Sequence, residues 1–299
     1  MSVTTSVDVT LCTFRRPIVR DALLSLEKLD LPAGVELRII VADNDDSPSG
    51  EELVQTTADE MTTPVHYVHA PSRNISIARN AALEAATADW VAFIDDDEVA
   101  EPDWLARLLA RAAETDADAI FGPAVAEYGP DAPDWMRRQD HHSNRPVYKA
   151  GAVEIGFTCN ALVRWAGMPW VQQRFDLGKG KSGGEDVDFF FALKRMGATF
   201  DADEDAIVRE AVHPSRLNLS WLLRRKFNAG SGHSSKAQSL AGRLRLGASA
   251  TAKATYCGLR MAAAGLSEDR RNYWMLRGAL HMGVVSGCFA LQPRDIYGK

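Results

Sequence analysis

Cysteine is scarce in this 299-residue chain: Cys12, Cys159, Cys257 and Cys288 are scattered, with no C-x-x-C pair and no metal-ligand spacing. That excludes a disulfide framework and points to reduced thiols in a cytoplasmic setting. Long apolar runs are missing as well. The N-terminus MSVTTSVDV has neither the basic segment nor the apolar core of a secretory signal. The stretch HMGVVSGCFAL, residues 281–291, is too short and too broken by glycine to span a bilayer. Acid is absent between Ala211 and Ser267. Residues 1–210 hold 37 Asp and Glu against 20 Lys and Arg, whereas residues 211–299 hold 3 against 14. A tail so one-sided faces something anionic (phosphate, a membrane surface or the acidic body of its own protein), or else is simply solvated. Nothing in the sequence points to a nucleic-acid partner.

Two nucleotide signatures are missing too. A dinucleotide fold needs G-x-G-x-x-G after its first strand, where this chain has Thr13-Phe14-Arg15-Arg16-Pro17. The GKS at 180–182 would need a glycine at Phe175 to make a phosphate-binding loop.

What is present is alternation. VDVTLCT (Val7–Thr13), VELRIIVAD (Val35–Asp43), VHYVHA (Val65–Ala70) and WVAFI (Trp90–Ile94) read as strands. Helices are expected over 17–29, over 51–61, from Ser76 as N-cap, and over 104–114. This is the sequence form of consecutive βα units, so the fold class is α/β with a mostly parallel sheet and helices on both faces. DAIFGPAVAEY reads as a further strand, 129–150 as a loop, VEIGFTCNALV as a strand, and GKGKSGG as a glycine-rich loop before a helix over 185–196. Beyond His213 the chain reads as mainly helical and basic. Around Trp221, Leu222, Leu223 and Phe227 the apolar positions alternate with Arg224, Arg225 and Lys226, as in an interfacial helix. The expected division is a nucleotide-binding and catalytic domain over 1–230 and a helical basic extension over 231–299.

Ligands of open α/β sheets sit beyond the carboxyl ends of the strands, and the polar residues cluster there. Thr13, Phe14 and Arg15 follow the first strand, Asp43 ends the second, and Asp95, Asp96, Asp97 and Glu98 follow the fourth. An aromatic face, carboxylates and arginines are what a nucleotide requires; read singly, Asp43 and Asn44 are also ordinary turn formers. Carboxylate oxygens are hard ligands for Mg²⁺ or Mn²⁺, and Asp95 and Asp97, one residue apart, point the same way off an extended segment. A solvated acidic turn is the plain alternative. In SGGEDVDFFF, Gly183 and Gly184 allow close backbone approach ahead of Glu185 and Asp186, at a helix start that keeps an acid ionised.

In their order and spacing, TFRRP, VADN, RNISIARNAAL, FIDDDEVAEPDWL, GGEDVDF and VREAVHP resemble the family 2 glycosyltransferases, over about Val7 to Gly230. The resemblance implies a GT-A fold and inverting transfer of a sugar from a nucleotide-diphosphate donor, commonly a UDP-sugar. It also implies that Thr13, Phe14, Asp43 and Arg79 line the nucleoside pocket and that Asp95 sits near the ribose. Asp97 would hold Mn²⁺ or Mg²⁺ against the diphosphate, with His213 completing the metal site, and Asp186 would be the base. Glu98 departs from the usual third acid, and the Q-x-x-R-W signature of processive synthases is missing. A single-sugar transferase of bacterial exopolysaccharide or surface-glycan assembly is therefore expected. It would work in the cytoplasm or on the inner face of the membrane, on a glycan or lipid-linked glycan acceptor. The alternatives are a sugar nucleotidyltransferase and an inactive nucleotide-sugar-binding module.

Overall fold

Along Val7–Leu11, Leu37–Val41 and Trp90–Ile94, successive side chains enter opposite faces of one sheet, and both faces are covered. Val9, Leu11, Ile39, Ala92 and Ile94 enter one apolar layer, while Val91 and Phe93 enter another. The computed structural model describes residues 4–181, 183–234, 237 and 239–289. Within them lie two compact units, residues 4–127 with 143–211 and residues 128–142 with 212–289.

The first unit opens with β1 (Thr5–Thr13), α1 (Val19–Leu26), β2 (Val35–Asp43), α2 (Glu51–Ala58), β3 (Val65–His69), α3 (Ile75–Ala85) and β4 (Trp90–Ile94). After β5 (Glu98–Ala100) come α4 (Trp104–Thr115), β6 (Ala119–Phe121) and β7 (Ala124–Glu127). In the second unit, α5 spans Asp134–Gln139. The first unit resumes with β8 (Val147–Lys149), β9 (Ala152–Ile155), β10 (Asn160–Arg164), α6 (Glu185–Arg195), β11 (Phe200–Ala202) and β12 (Val208–Ala211). Helices α7 (Leu219–His233), α8 (Leu240–Ala262) and α9 (Glu268–Phe289) complete the second unit.

Seven strands form the main sheet in the order β11-β6-β10-β4-β1-β2-β3. The chain runs outward from β1 through β2 to β3, then returns to place β4 on the other side of β1. The switch point of the sheet therefore lies between the ends of β1 and β4. Strand β10 runs antiparallel between β4 and β6. Its first residue, Asn160, is buried; it donates to Pro123 O (3.0 Å) and Ala206 O (2.7 Å) and accepts from Trp104 Nε1 (2.9 Å).

Four local readings change, the first being that VEIGFTCNALV is two strands, β9 and β10, with a break after Ile155. DAIFGPAVAEY is two strands in different sheets, broken at Gly122-Pro123, because proline cannot donate to a ladder. The helix after β3 is capped by Asn74, not Ser76: the Asn74 side chain accepts from Ser76 N at 3.0 Å. Helix α5 stands within the expected 129–150 loop.

The second unit has its own core. Leu222 of α7 is buried with Trp135, Met136 and Leu276, and Trp221 and Leu223 pack against them. The apolar positions expected to face a bilayer around 221–227 are thus turned inward, since the helix has partners of its own. Helices α7 and α9 cross closely at glycine: a Cβ on Gly230 would strike the Leu280 carbonyl, and one on Gly283 the Phe227 carbonyl. The boundary expected after residue 230 falls inside α7, and the compact units divide at residue 212 instead. No described helix is long and apolar enough to cross a membrane.

Candidate active site

Arginines from the end of β1 tie together the strand ends beside the switch point. Arg15, with φ of 55°, pairs through Nε with Asp45 Oδ2 at 2.8 Å and lies 5.2 Å over the Phe14 ring. That bond holds the Asp45 carboxyl well below the usual range. Arg16, the second arginine of TFRRP, reaches both Asp96 Oδ1 (2.9 Å) and Asp97 Oδ2 (2.8 Å) through NH1. Asp43 is fully buried; Oδ1 accepts from Asp45 N (3.0 Å), and Oδ2 from Gly50 N and Tyr67 Oη (both 2.8 Å). In this structure Asp43 organises the 43–50 turn and offers no open surface to a ligand.

Four adjacent acids follow β4, and they face different surroundings. Glu98 turns inward, is 1% exposed, and accepts from Asp95 N at 2.8 Å. Burial pushes its pKa well up, and its bond to Asp95 N makes it a strut beneath the turn. Asp96 is buried, and burial, opposed by Arg16, raises its pKa to about 6. Its carboxyl lies beside the Thr13 hydroxyl, which favours the charged form. Asp95 and Asp97 open to the cleft, with side chains 44% and 19% exposed. Burial, with Asp97 beside it, raises the Asp95 pKa and Arg79 opposes it; water at the exposed side moderates both effects.

The second acid segment starts α6. Phe189, Phe190 and Leu193 of that helix are buried. Phe189 stacks on Phe175 at 4.1 Å, and Phe190 meets Phe121 edge-on at 4.8 Å. These contacts fix the helix, hence its first turn. Gly183 and Gly184 lead into it at φ of 82° and 86°, a backbone that side chains rarely adopt. Glu185 is 5% exposed and accepts from Arg79 NH1 at 2.6 Å, while its Oε2 is buried with no hydrogen-bond partner among the described residues. Asp186 is half-buried, and its Oδ1 accepts from Val187 N at 2.7 Å. Burial, with Glu185 beside it, raises its pKa to about 6. Asp188 pairs with Lys179.

Arg79 joins the two segments. Its guanidinium binds Glu185 on one side and lies 3.7 Å from Asp95 Oδ1 on the other, over the Phe175 ring at 5.5 Å. Burial works against its charge, but the two carboxylates hold its pKa above the ordinary arginine value. Arg79, expected to line the nucleoside pocket, stands between Asp95 and the α6 helix start. The rest of NISIARN secures the approach to that helix. Asn74 Nδ2 donates to Leu177 O (2.9 Å) and Ser76 Oγ to Asp176 O (2.8 Å). Asn80 exchanges two bonds with the Phe175 backbone, at 3.0 and 2.8 Å. Gly180 passes so close that a Cβ would strike Asn74 Oδ1. Residues 175–180 are therefore stapled to α3 by side chains whose regular N-x5-N spacing was the available signal.

Among the described residues no group of three or more His, Cys, Asp or Glu side chains could hold an ion by itself. Asp95 and Asp97 fit a divalent ion of the kind that uses one or two carboxylates and completes its shell from substrate phosphates and water. They do not fit a closed protein cage. His213 lies in the second unit, exposed, where its Nδ1 accepts from Ser215 N at 3.2 Å and caps the turn Pro214–Arg216.

Residues 8–166 match the family described as Glycosyl transferase family 2. Over 298 residues the chain is 43% identical to the succinoglycan biosynthesis protein ExoM of Rhizobium meliloti, covering 99% of this chain and 96% of that one. In fold it is similar to a mannosyltransferase from Pyrobaculum calidifontis solved with GDP-Man and Mn²⁺ (TM-score 0.67, 18% identity, 97% and 89% of the two chains). It is also similar to S. aureus TarS solved with UDP-GlcNAc (TM-score 0.54, 15% identity, 93% and 92%). The expected GT-A arrangement, a mostly parallel sheet flanked by helices and followed by a helical C-terminal region, is the one found.

Proposed function

Because the chain belongs to glycosyl transferase family 2, we propose that it moves one sugar, with inversion, from a UDP-sugar to a hydroxyl of a glycan or lipid-linked glycan. Its place would be in assembly of a bacterial exopolysaccharide. The name of the ExoM relative supports that setting, and the UDP-GlcNAc bound to TarS supports the donor class.

One observation carries the reading: Arg79 bridges Asp95 and Glu185, so both acid segments serve one cleft. On the donor side, Thr13 and Phe14 would meet the nucleoside and Asp95 the ribose. Asp97 would hold Mn²⁺ or Mg²⁺, which when bound neutralises charge on the leaving diphosphate. On the acceptor side, the attacking hydroxyl must lose a proton as its oxygen bonds to the anomeric carbon. Asp186 takes it. Its pKa of about 6 leaves the carboxylate ionised at neutral pH yet basic enough to accept. Arg79 holds Glu185 still beside it, so the base is not displaced by its neighbour.

The test combines thermal shift with UDP- and GDP-sugars plus Mn²⁺ and an assay of nucleoside diphosphate release. UDP-sugar binding is expected, with release abolished by EDTA and restored by Mn²⁺ or Mg²⁺. Full turnover in EDTA removes the metal from the mechanism. Stabilisation by GDP-sugars alone reassigns the donor. Binding with no release for any acceptor makes the protein a binding module.

A further inference from the structure

Helix α8 carries two faces of different character. Gly247, Ala250 and Cys257 are buried in the second unit, where Ala250 clusters with Val284 and Cys288 of α9. Next to that buried face, on the exposed surface, Leu240 is 75% exposed, Leu244 53% and Leu259 66%, with Leu266 wholly exposed in the following turn. Helical spacing lines Leu240, Leu244, Thr251, Thr255, Leu259 and Ala262 along one stripe. No charge interrupts it. Arg245 and Tyr256 border the stripe on its solvent side, and Arg260 and Lys253 follow further round the exposed surface of the helix. The helix contains no acid.

We propose that this outer face of α8 is a docking surface for an anionic lipid bilayer. The stripe is shallow, made of widely spaced leucines separated by small residues, and runs the length of a 23-residue helix, about 35 Å at the usual rise. Such a shape suits a plane. A protein groove would want a compact cluster of large side chains. The flanking cations have long stems that lie along apolar surface while their charges reach the headgroups. Their uniform sign matches anionic lipid, and each contributes roughly fivefold to partitioning near such a surface.

The experiment is co-sedimentation of the full chain with vesicles of neutral phosphatidylcholine and of phosphatidylcholine with phosphatidylglycerol. Binding is expected on the anionic vesicles, weakened by salt and absent on neutral ones. The triple variant Arg245→Gln, Lys253→Gln, Arg260→Gln should lose roughly a hundredfold in partitioning. Leu244→Ser with Leu259→Ser should also bind more weakly, and Arg195→Gln, in the first unit, should match the parent. The proposal is overturned if the triple variant binds like the parent or if neutral vesicles bind equally well. It is also overturned if neither vesicle binds; a concentration-dependent dimer lost in the leucine variant would then assign the stripe to a second copy. Vesicle binding is read without turnover, so its failure leaves the glycosyl-transfer reading untouched.

Discussion

Residues 95–98 and 185–188 are both runs of acid next to a regular element, and each divides its labour in the same way. In the first, Glu98 and Asp96 are buried while Asp95 and Asp97 face the cleft. In the second, Glu185 is buried against Arg79 while Asp186 is partly open. Their geometry differs. The first run folds into a turn closed by Glu98 N donating to Asp95 O at 3.2 Å, with one Arg16 nitrogen reaching both Asp96 and Asp97; the second sits in the first turn of α6, where Glu185 is held by Arg79. Adjacent carboxylates are thus not a pool of equivalent charge. The buried ones build the cleft and the open ones are left for chemistry.

The largest expected effect tests that division directly. Asp186→Asn keeps shape and can still accept from Val187 N, but it cannot take a proton. Loss of a general base is worth about 10²–10⁴-fold, so sugar transfer should fall by that range while donor affinity stays near that of the parent. Glu185→Gln should cost much less in rate. Near-parental turnover of Asp186→Asn, measured where chemistry limits the rate, would move the base elsewhere. The acid limb of the parent's rate profile should also lie near pH 6, with activity rising as Asp186 ionises.

Arg79→Gln probes the link between the two runs. The change leaves Glu185, 5% exposed, without its counter-charge, and removing one partner of a buried pair typically costs 3–5 kcal/mol. Denaturant unfolding should show a loss of about that size. The double variant Arg79→Gln, Glu185→Gln should regain much of it, because no unpaired buried charge remains. If Arg79→Gln unfolds like the parent, the bridge is not what joins the segments.

Much of this was legible in the sequence, and the limits have a physical origin. The strands that end in acid were readable because their apolar runs are continuous and stop abruptly, as at Ile94 before Asp95. Whether a given acid faces core or cleft was not, because that depends on contacts 80 to 106 residues away, Arg16 to Asp96 and Arg79 to Glu185. The same holds for Asp43, whose polar neighbourhood reads as a ligand pocket until Gly50 and Tyr67 close over it. Antiparallel β10 was hidden inside one apparent strand, 153–163, which the structure breaks after Ile155. Asn74 took the cap from Ser76 because the Ser76 hydroxyl was needed at Asp176, a partner no local rule could supply.

The smallest effect separates building acids from reacting ones by pH. Asp96 has a pKa raised from 3.8 to about 6, chiefly by burial, with Arg16 opposing. A carboxyl whose folded pKa lies above its unfolded value binds its proton more tightly in the native state. Its contribution to stability is therefore greatest below about pH 4 and is lost as pH rises through about 6. At about 1.4 kcal/mol per pKa unit, the loss by pH 8 approaches 3 kcal/mol for this one group. Asp96→Asn removes the penalty and keeps an oxygen for Arg16. The variant should therefore melt higher than the parent at pH 8 and close to it at pH 4. Comparing variant with parent at each pH cancels the titration of every other group. Activity should move the opposite way in the parent, gaining above pH 6 as Asp186 ionises, so the cleft works best in the range where Asp96 strains it most. A variant no more stable than the parent at pH 8 would mean that Arg16 fully compensates the buried charge, and that Asp96 belongs with the open acids.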